Sequence, residues 1–71
     1  MESRDIIIKK IKYYRELKKI SPEELSYRIG KNKEFINQVE QNKFKKMPSI
    51  LILEKIAKEL NISLEKLMID D

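Results

Sequence analysis

The chain has 71 residues, with a formal net charge of +4, no Cys and no His. These absences exclude disulfides and thiolate metal sites and remove the commonest general base, so we expect no enzyme, no bound metal and no other cofactor. No apolar run approaches the ~20 residues of a membrane span and no secretory pattern is present, so we expect a cytoplasmic protein without membrane contact.

The length and the charge pattern set two further expectations. A chain this short holds one hydrophobic core, so we predict a single domain over residues 1–71, with its core at about 7–68. Residues 1–20 carry seven Lys/Arg against three acids, residues 21–46 carry six against four, and residues 47–71 carry three against five. The basic portion suits a polyanion, although a basic protein need not bind nucleic acid.

The first predicted helix runs from about residue 4 to residue 19. Its apolar side chains recur at three- and four-residue spacing, which is the period of one helix face. These side chains are Ile7, Ile8, Ile11, Tyr14 and Leu17. Lysines occupy the other side, so the segment is predicted to be amphipathic.

A second, short helix is predicted to begin after Ser21. Ser21 is a good N-cap, Pro22 stands at the first helical position where no N–H is needed, and Glu24 can complete a capping box. Leu25 and Ile29 are four residues apart and give this helix one buried side.

Gly30 is predicted to end the second helix in a left-handed conformation, and Asn32 to cap a third helix over residues 33–41. Ile36 and Val39 face the core in this third helix. Its other face carries only hydrogen-bonding side chains: Lys33, Glu34, Asn37, Gln38 and Gln41. Two short helices joined by a tight turn in a small basic domain are typical of a DNA-binding helix-turn-helix.

The polar face of the third helix suits reading of base edges in the major groove. Asn and Gln can pair with adenine, Lys can donate to guanine, and Glu can accept from the cytosine amino group. The candidate base-reading residues are Lys33, Glu34, Asn37 and Gln38. A solvated helix face fits the same pattern about as well, and it is the neighbouring helix and loop that favour DNA.

The loop after the third helix is strongly basic. Asn42 is the expected left-handed cap, and Lys43, Lys45 and Lys46 follow it directly. A helix lying in a groove brings the chain back to the sugar-phosphate backbone at this point, so we predict phosphate contacts here. A solvated charge run is the alternative, and the position beside the third helix favours phosphate.

Two more helices complete the prediction. Ser49 is expected to cap a fourth helix with an inner stripe of Ile50, Leu53, Ile56, Ala57 and Leu60. Ser63 is expected to cap a short fifth helix that packs through Leu64, Leu67 and Met68. No alternating strand pattern is present. The predicted fold class is all-α, a compact five-helix bundle.

Several residues together carry a family resemblance: Tyr14-Arg15, Ile20-Ser21, Glu23-Glu24-Leu25, Gly30, Asn32, Ile36, Glu40, Pro48-Ser49, Leu53, Ile56-Ala57, Leu60-Asn61-Ile62-Ser63 and Leu64-Glu65-Lys66-Leu67. In this order they resemble the Cro/C1-type, or XRE-like, helix-turn-helix family over nearly the whole chain. The resemblance implies a lambda-repressor-like bundle, and a protein that binds double-stranded DNA operators as a two-fold homodimer. We predict no small-molecule ligand.

The resemblance also assigns roles to individual residues. The residues that it places on the DNA-facing part of the recognition helix are Asn32, Lys33, Glu34, Asn37 and Gln38. It implies an ion pair between Arg15 and Glu40 that ties the first helix to the recognition helix. The positions at which similar proteins touch phosphates are Ser21, Asn32, Gln41, Lys43, Lys45 and Lys46.

The chain departs from the family pattern in the residues that bear on binding. Relatives usually have Gln at the position of Pro22. They usually have Gly at the position of Asn42, and this replacement is tolerable because Asn accepts left-handed geometry. Glu34 places a carboxylate near the phosphates, which costs affinity unless a cytosine amino group compensates for it.

An apolar run marks a further departure. Similar proteins tend to be polar at Leu51 and Ile52, and exposed apolar surface here, joined by Phe44 and Met47, would form a dimer patch. The alternative is that one of the two packs under the loop before it, and the sequence does not decide between them.

The function that these patterns indicate is a sequence-specific, non-enzymatic DNA-binding transcriptional regulator, a repressor by resemblance, that inserts the helix at 33–41 into the major groove. The alternative is a protein-interaction module of the same fold, such as an antitoxin or an antagonist of a related regulator. Glu34, Pro22 and the Leu51/Ile52 pair favour this alternative, and the lysines of the loop oppose it.

Overall fold

The caps and apolar periods of the sequence appear in three dimensions as five α-helices. The computed structural model describes residues 3–69, so residues 1–2 and 70–71 of the expected domain lie outside the described part. Within it the elements are α1 (Ser3–Leu17), α2 (Pro22–Arg28), α3 (Phe35–Glu40), α4 (Ile50–Glu59) and α5 (Leu64–Met68), and the described residues form no strand. The predicted all-α five-helix fold is confirmed.

The helix N-termini use the predicted serine caps to different degrees. The Ser21 Oγ accepts a hydrogen bond from the Glu24 N–H at 3.0 Å, and the Ser49 Oγ accepts one from the Ile52 N–H at 3.3 Å. Ser63 has the extended backbone of an N-cap but its side chain makes no capping bond. The second half of the expected capping box at α2 does not form, because the Glu24 carboxylate accepts from Arg28 Nε instead, at 3.0 Å.

The C-termini of α1 to α4 share one closing motif. A residue with positive φ is followed by a backbone N–H that bonds to the carbonyl five residues earlier, which is the Schellman arrangement. The residues with positive φ are Lys19, Gly30, Asn42 and Asn61. Lys19 is the unexpected one, because its Cβ makes left-handed geometry cost about 1–2 kcal/mol and no sequence signal marked it.

The core lies where the apolar faces of all five helices meet. α1 packs against α3 and α5, α2 packs against α3 and α4, and α4 also packs against α5. The buried apolar side chains are Ile7, Ile11, Leu25, Ile29, Ile36, Val39, Leu53, Ile56, Ala57, Leu60 and Leu67. Every described helix therefore contributes to one continuous cluster, and α3 packs against it through Ile36 and Val39.

Three residues that the periodicity assigned to the core are instead exposed. Leu17, Ile50 and Met68 keep 60%, 50% and 42% of their surface in contact with solvent. Leu17 lies two residues past the buried Arg15, about 200° around the helix axis, and so points away from the core. Ile50 is the first residue of α4 and Met68 is the last residue of α5. At these helix ends the apolar spacing continues, but no other described helix lies opposite to cover the side chain.

No helix within residues 3–69 combines the length and the apolar character needed to cross a membrane. The longest of them, α1, has 15 residues and mixes its apolar positions with lysines.

Candidate nucleic-acid interface

A buried serine joins the two helices of the helix-turn-helix. The Ser26 side chain is fully buried, its hydroxyl donates to the Pro22 carbonyl at 2.7 Å, and its Oγ accepts from the Ile36 N–H at 3.0 Å. The Ile36 N–H belongs to the first turn of α3, where no partner exists within the helix. Ser26 therefore caps α3 from α2 and fixes the distance between their backbones.

The sequence analysis did not identify Ser26. A signal was present, because Ser26 lies three residues before the buried Ile29 and so falls on the core face of α2. A serine on that face needs a hydrogen-bond partner, and an adjacent helix start is one place to find it.

An ion pair ties α1 to the end of α3. Arg15 Nε donates to Glu40 Oε2 at 2.7 Å and Arg15 Nη2 donates to Glu40 Oε1 at 2.9 Å, while Nη1 donates to the Ile20 carbonyl at 2.9 Å. Only 9% and 7% of the Arg15 and Glu40 side chains are exposed. The two parallel bonds are the bidentate geometry that fixes orientation as well as distance. The position of α3 is therefore set at its start by Ser26 and at its end by Arg15.

The electrostatics of this pair keep it charged. The hydrogen bond to the Glu40 carboxylate raises the pKa of Arg15 above its ordinary value, although burial alone would lower it. A raised pKa in the folded state means that the contribution of the charged guanidinium is present below its ordinary pKa and is lost as the pH rises through the raised pKa, far above neutrality. The clamp on α3 is ionised on its arginine side under any ordinary condition.

The third helix is shorter than predicted. It begins at Phe35 rather than at 33, and it ends at Glu40, with Gln41 as its C-cap. Lys33 and Glu34 form a turn before the helix, in which the Asn32 side-chain oxygen accepts from the Glu34 N–H at 3.1 Å. An Asn that hydrogen-bonds its own backbone two residues later favours such a turn over a helical start.

The candidate base-reading residues divide into two groups. Lys33, Glu34 and Asn37 line an open notch between α2 and α3, whose opposite wall is formed by Pro22 and Glu23. All three are exposed, whereas the fourth candidate, Gln38, is partly buried and lies outside this notch. The sequence analysis did not assign Glu23 to the site, and its carboxylate gives the notch a second acidic group beside Glu34.

The candidate phosphate-contacting residues surround this notch and the end of α3. All of them are exposed: Ser21, Asn32, Gln41, Lys43, Lys45 and Lys46. Ser21 and Asn32 already use their side-chain oxygens to accept from backbone N–H groups. Each side chain also carries donors, the hydroxyl hydrogen of Ser21 and the amide hydrogens of Asn32, which is the polarity that a phosphate requires.

The lysines lie on a loop that follows α3 without a break. We call residues 43–46 the lysine loop. Asn42 has φ of +57° and turns the chain out of α3, with the Lys43 N–H bonded to the Gln38 carbonyl at 3.0 Å. Between the lysines, the Phe44 ring packs against the Phe35 ring with 5.5 Å between centroids. The loop is thereby held beside the start of α3.

The four residues of the predicted dimer patch do not share one environment. Leu51 is 67% exposed and Phe44 is 37% exposed. Met47 and Ile52 are partly buried and pack against the core. Ile52 packs against the core and Leu51 extends into solvent, so of these two residues only Leu51 offers exposed apolar surface, and the dimer patch stays a prediction.

Within the described range, no cluster of three or more His, Cys, Asp or Glu side chains is placed to hold a metal ion. Glu40 and Glu24 are each paired with an arginine, while Glu23 and Glu34 line the notch. The chemistry that this face offers is hydrogen bonding and charge.

Comparison with protein families gives one match that covers most of the chain. A family model described as helix-turn-helix (HTH_3) matches residues 11–67, from the middle of α1 to α5. The search of curated proteins gives no match.

Solved structures give matches over nearly the whole chain. A hypothetical transcription factor NHTF from Neisseria superposes with a TM-score of 0.86 at 22% identity, covering 96% of this chain and 76% of that one, which is a likeness of fold. SinR, described as the master regulator for biofilm formation and crystallised in complex with DNA, gives 0.78 at 35% identity, covering 89% and 98%. The N-terminal DNA binding domain of SinR from Bacillus subtilis gives 0.81 at 33% identity, covering 94% and 96%.

Proposed function

The chain belongs to the helix-turn-helix family of DNA-binding transcription regulators, and from this premise we propose that it is a sequence-specific repressor that inserts α3 into the major groove. One observation carries the proposal: three exposed hydrogen-bonding residues, Lys33, Glu34 and Asn37, line a single notch at the start of α3. Base edges are read by such groups when the first residues of a recognition helix enter the groove.

Affinity and specificity come from different residues in this proposal. The lysine loop and the donors of Ser21, Asn32 and Gln41 contact phosphates, which position the domain without reading sequence. Lys33, Glu34, Asn37 and Gln38 read the bases. The two carboxylates of the notch, Glu23 and Glu34, repel phosphate, so binding depends on a favourable base contact to offset them.

The SinR domains, at 33% and 35% identity, support this assignment, since one of them is described as crystallised with DNA. We extend the proposal to a homodimer on DNA, because Leu51 presents an exposed apolar side chain next to the lysine loop, where a second copy could cover it. Two recognition helices would then read half-sites about one helical turn, ~34 Å, apart.

The test is fluorescence anisotropy with random-sequence duplex DNA over a salt series. The variant replaces the three lysines of the lysine loop, Lys43, Lys45 and Lys46, with Ala. A control with the same net charge replaces the exposed lysines of α4 and α5, Lys55, Lys58 and Lys66. We expect the slope of log K against log salt to fall by about 0.9 for each lost phosphate contact in the first variant, and to stay unchanged in the control.

A second arm tests base reading. Selection of binding sites from a random pool should yield a different preferred sequence for Gln38→Ala than for the wild type, whereas the lysine variant should keep the sequence and lose affinity. Uniform loss of affinity in both variants would contradict the division of roles.

The protein-interaction module remains the second candidate, because Leu51 is 67% exposed and the notch carries Glu23 and Glu34. Absence of binding at low salt by the folded wild-type protein would place this alternative first.

A further inference from the structure

The lysine loop has little backbone support of its own. In the part of the chain that the structure describes, no backbone-to-backbone hydrogen bond joins residues 44–48 to any other residue. A segment of this kind fluctuates unless side chains fix it, and a fluctuating loop loses conformational freedom when it binds a ligand. What holds the loop therefore bears on how well its lysines bind phosphate.

A side chain from α1 supplies a hydrogen bond to the middle of the loop. Arg4 lies in the first turn of α1, and its Nη2 donates to the Lys45 carbonyl at 2.6 Å, across 41 residues of sequence. One helical turn later on the same face, Ile8 lines a small cavity beneath the loop together with Phe44 and Met47. The N-terminal half of α1 thus lies beneath the loop and supports it with a directed hydrogen bond.

The loop is held from its other side by aromatic packing. Phe44 lies against Phe35, and the Lys31 ammonium lies 5.4 Å from the centre of the Phe35 ring. Phe44 is 37% exposed, so this contact anchors one side chain and leaves the backbone after it unconstrained. The bond from Arg4 falls on that next residue, Lys45, immediately before Lys46.

We propose that Arg4 is a positioning residue of the DNA interface: its guanidinium holds the Lys45 carbonyl, so that Lys45 and Lys46 are ordered before DNA arrives. This role rests on the proposed function, in which the lysine loop contacts phosphates. Arg suits it because its planar, always charged guanidinium is pre-organised, so that it loses less freedom for each hydrogen bond it forms than a Lys ammonium does. Arg4 acts through the loop backbone and makes no phosphate contact itself.

The test compares Arg4→Ala with Lys9→Ala. Both variants remove one positive charge from α1, but Lys9 is exposed and five residues away, so it lies on a different helix face. Two quantities are measured for each: backbone order parameters of residues 44–46 from ¹⁵N relaxation of the DNA-free protein, and anisotropy with random-sequence duplex DNA over a salt series.

We expect the backbone order parameters of residues 44–46 to fall in Arg4→Ala and to stay at the wild-type values in Lys9→Ala. We expect Arg4→Ala to bind DNA about threefold to tenfold more weakly than Lys9→Ala, because the loop must then be ordered when DNA binds. The slope of log K against log salt should be the same in both variants. Thermal unfolding should be alike, because the hydrogen bond is exposed.

Three outcomes would overturn the proposal. A salt slope lower by about one in Arg4→Ala than in Lys9→Ala would make Arg4 a phosphate ligand rather than a positioning residue. Equal binding and equal order parameters of residues 44–46 in the two variants would give the hydrogen bond no role. Failure of the folded wild type to bind DNA would overturn the proposed function and the role of Arg4 with it. If the wild type binds DNA and the two variants lose the same amount of affinity, only the role of Arg4 is overturned.

Discussion

Two neighbouring regions of this molecule are held together in opposite ways. Residues 21–40, the helix-turn-helix, are fixed by polar groups that water does not reach, since Ser26 is fully buried and the Arg15–Glu40 pair is nearly so. Residues 43–52, the lysine loop and the start of α4, are held at the surface, where Leu51 is 67% exposed and the bond from Arg4 faces solvent.

The difference matches the tasks that we assign to the two regions. Reading base edges requires donors and acceptors at fixed positions, and a buried hydrogen bond resists change because breaking it leaves an unsatisfied group in the core. Contact with phosphates depends mainly on charge and tolerates a less rigid segment. Buried, rigid geometry lies where specificity is expected, and cations held at the surface lie where affinity is expected.

The largest effect should come from breaking the clamp on α3. Glu40→Ala leaves the Arg15 guanidinium buried without its carboxylate, and such a loss costs about 3–5 kcal/mol. A domain of this size has a free energy of unfolding of about 4–10 kcal/mol, so the variant should be only marginally folded. Urea unfolding followed by circular dichroism measures the change.

The matched control is the exposed ion pair of α2. Glu24→Ala removes the partner of Arg28 from a pair whose side chains are 52% and 41% exposed, and should cost under about 1 kcal/mol. Equal losses in the two variants would mean that burial does not distinguish the pairs, and the contrast between the two regions would fail. If Glu40→Ala does not fold, Glu40→Gln, which keeps one acceptor oxygen, gives a smaller loss of the same sign.

A second, smaller effect should come from Ser26. Ser26→Ala leaves the Ile36 N–H buried without its acceptor, so we expect a loss of about 1–3 kcal/mol in the free energy of unfolding. Because this bond sets the start of α3, binding to a selected operator should weaken more than binding to random DNA.

Ser49→Ala is the control for this substitution. It removes an exposed N-cap of α4 and should cost about 1 kcal/mol, leaving the ratio of operator to random-DNA affinity as in the wild type. If Ser26→Ala also keeps the wild-type ratio of operator affinity to random-DNA affinity, the hydrogen bond between α2 and α3 contributes stability but no specificity.

The sequence predicted the parts of this structure that local chemistry determines. Caps such as Ser21 and Ser49, and the left-handed ends at Gly30 and Asn42, act on their own neighbours and can be identified one helix at a time. The Arg15–Glu40 pair was expected from family resemblance, and not from the periodicity of either helix.

The contacts that the sequence did not predict join segments distant in the chain. The bonds from Ser26 to Ile36 and from Arg4 to Lys45 depend on how helices are placed relative to one another, which periodicity does not specify. Leu17 shows the same limit, because its three-residue spacing from Tyr14 fits the helical period although it lies about 200° around the axis from the buried Arg15. Lys19 adopts left-handed geometry because the closing motif of α1 requires it there, although the residue type does not favour it.

The smallest change in stability should come from a substitution of Leu51. Its effect on cooperative binding distinguishes residues 43–52 from the helix-turn-helix. Leu51→Glu alters a side chain that is already 67% exposed, so the free energy of unfolding should change by no more than about 0.5 kcal/mol. If Leu51 lies between two copies on DNA, a buried carboxylate there opposes assembly. The Hill coefficient on a duplex with two half-sites should then fall from near 2 toward about 1.

Binding to a single half-site measures the rest of the interface and should remain unchanged in Leu51→Glu, because α3 and its buried supports are untouched. Met68→Glu, on α5, introduces the same charge at another exposed apolar residue and should retain cooperative binding. If Leu51→Glu still binds cooperatively, residues 43–52 do not mediate dimerisation on DNA, and phosphate contact is the only role that remains for them. Loss of single-site binding would instead place Leu51 within the DNA-contacting surface, and the two regions would no longer be separable.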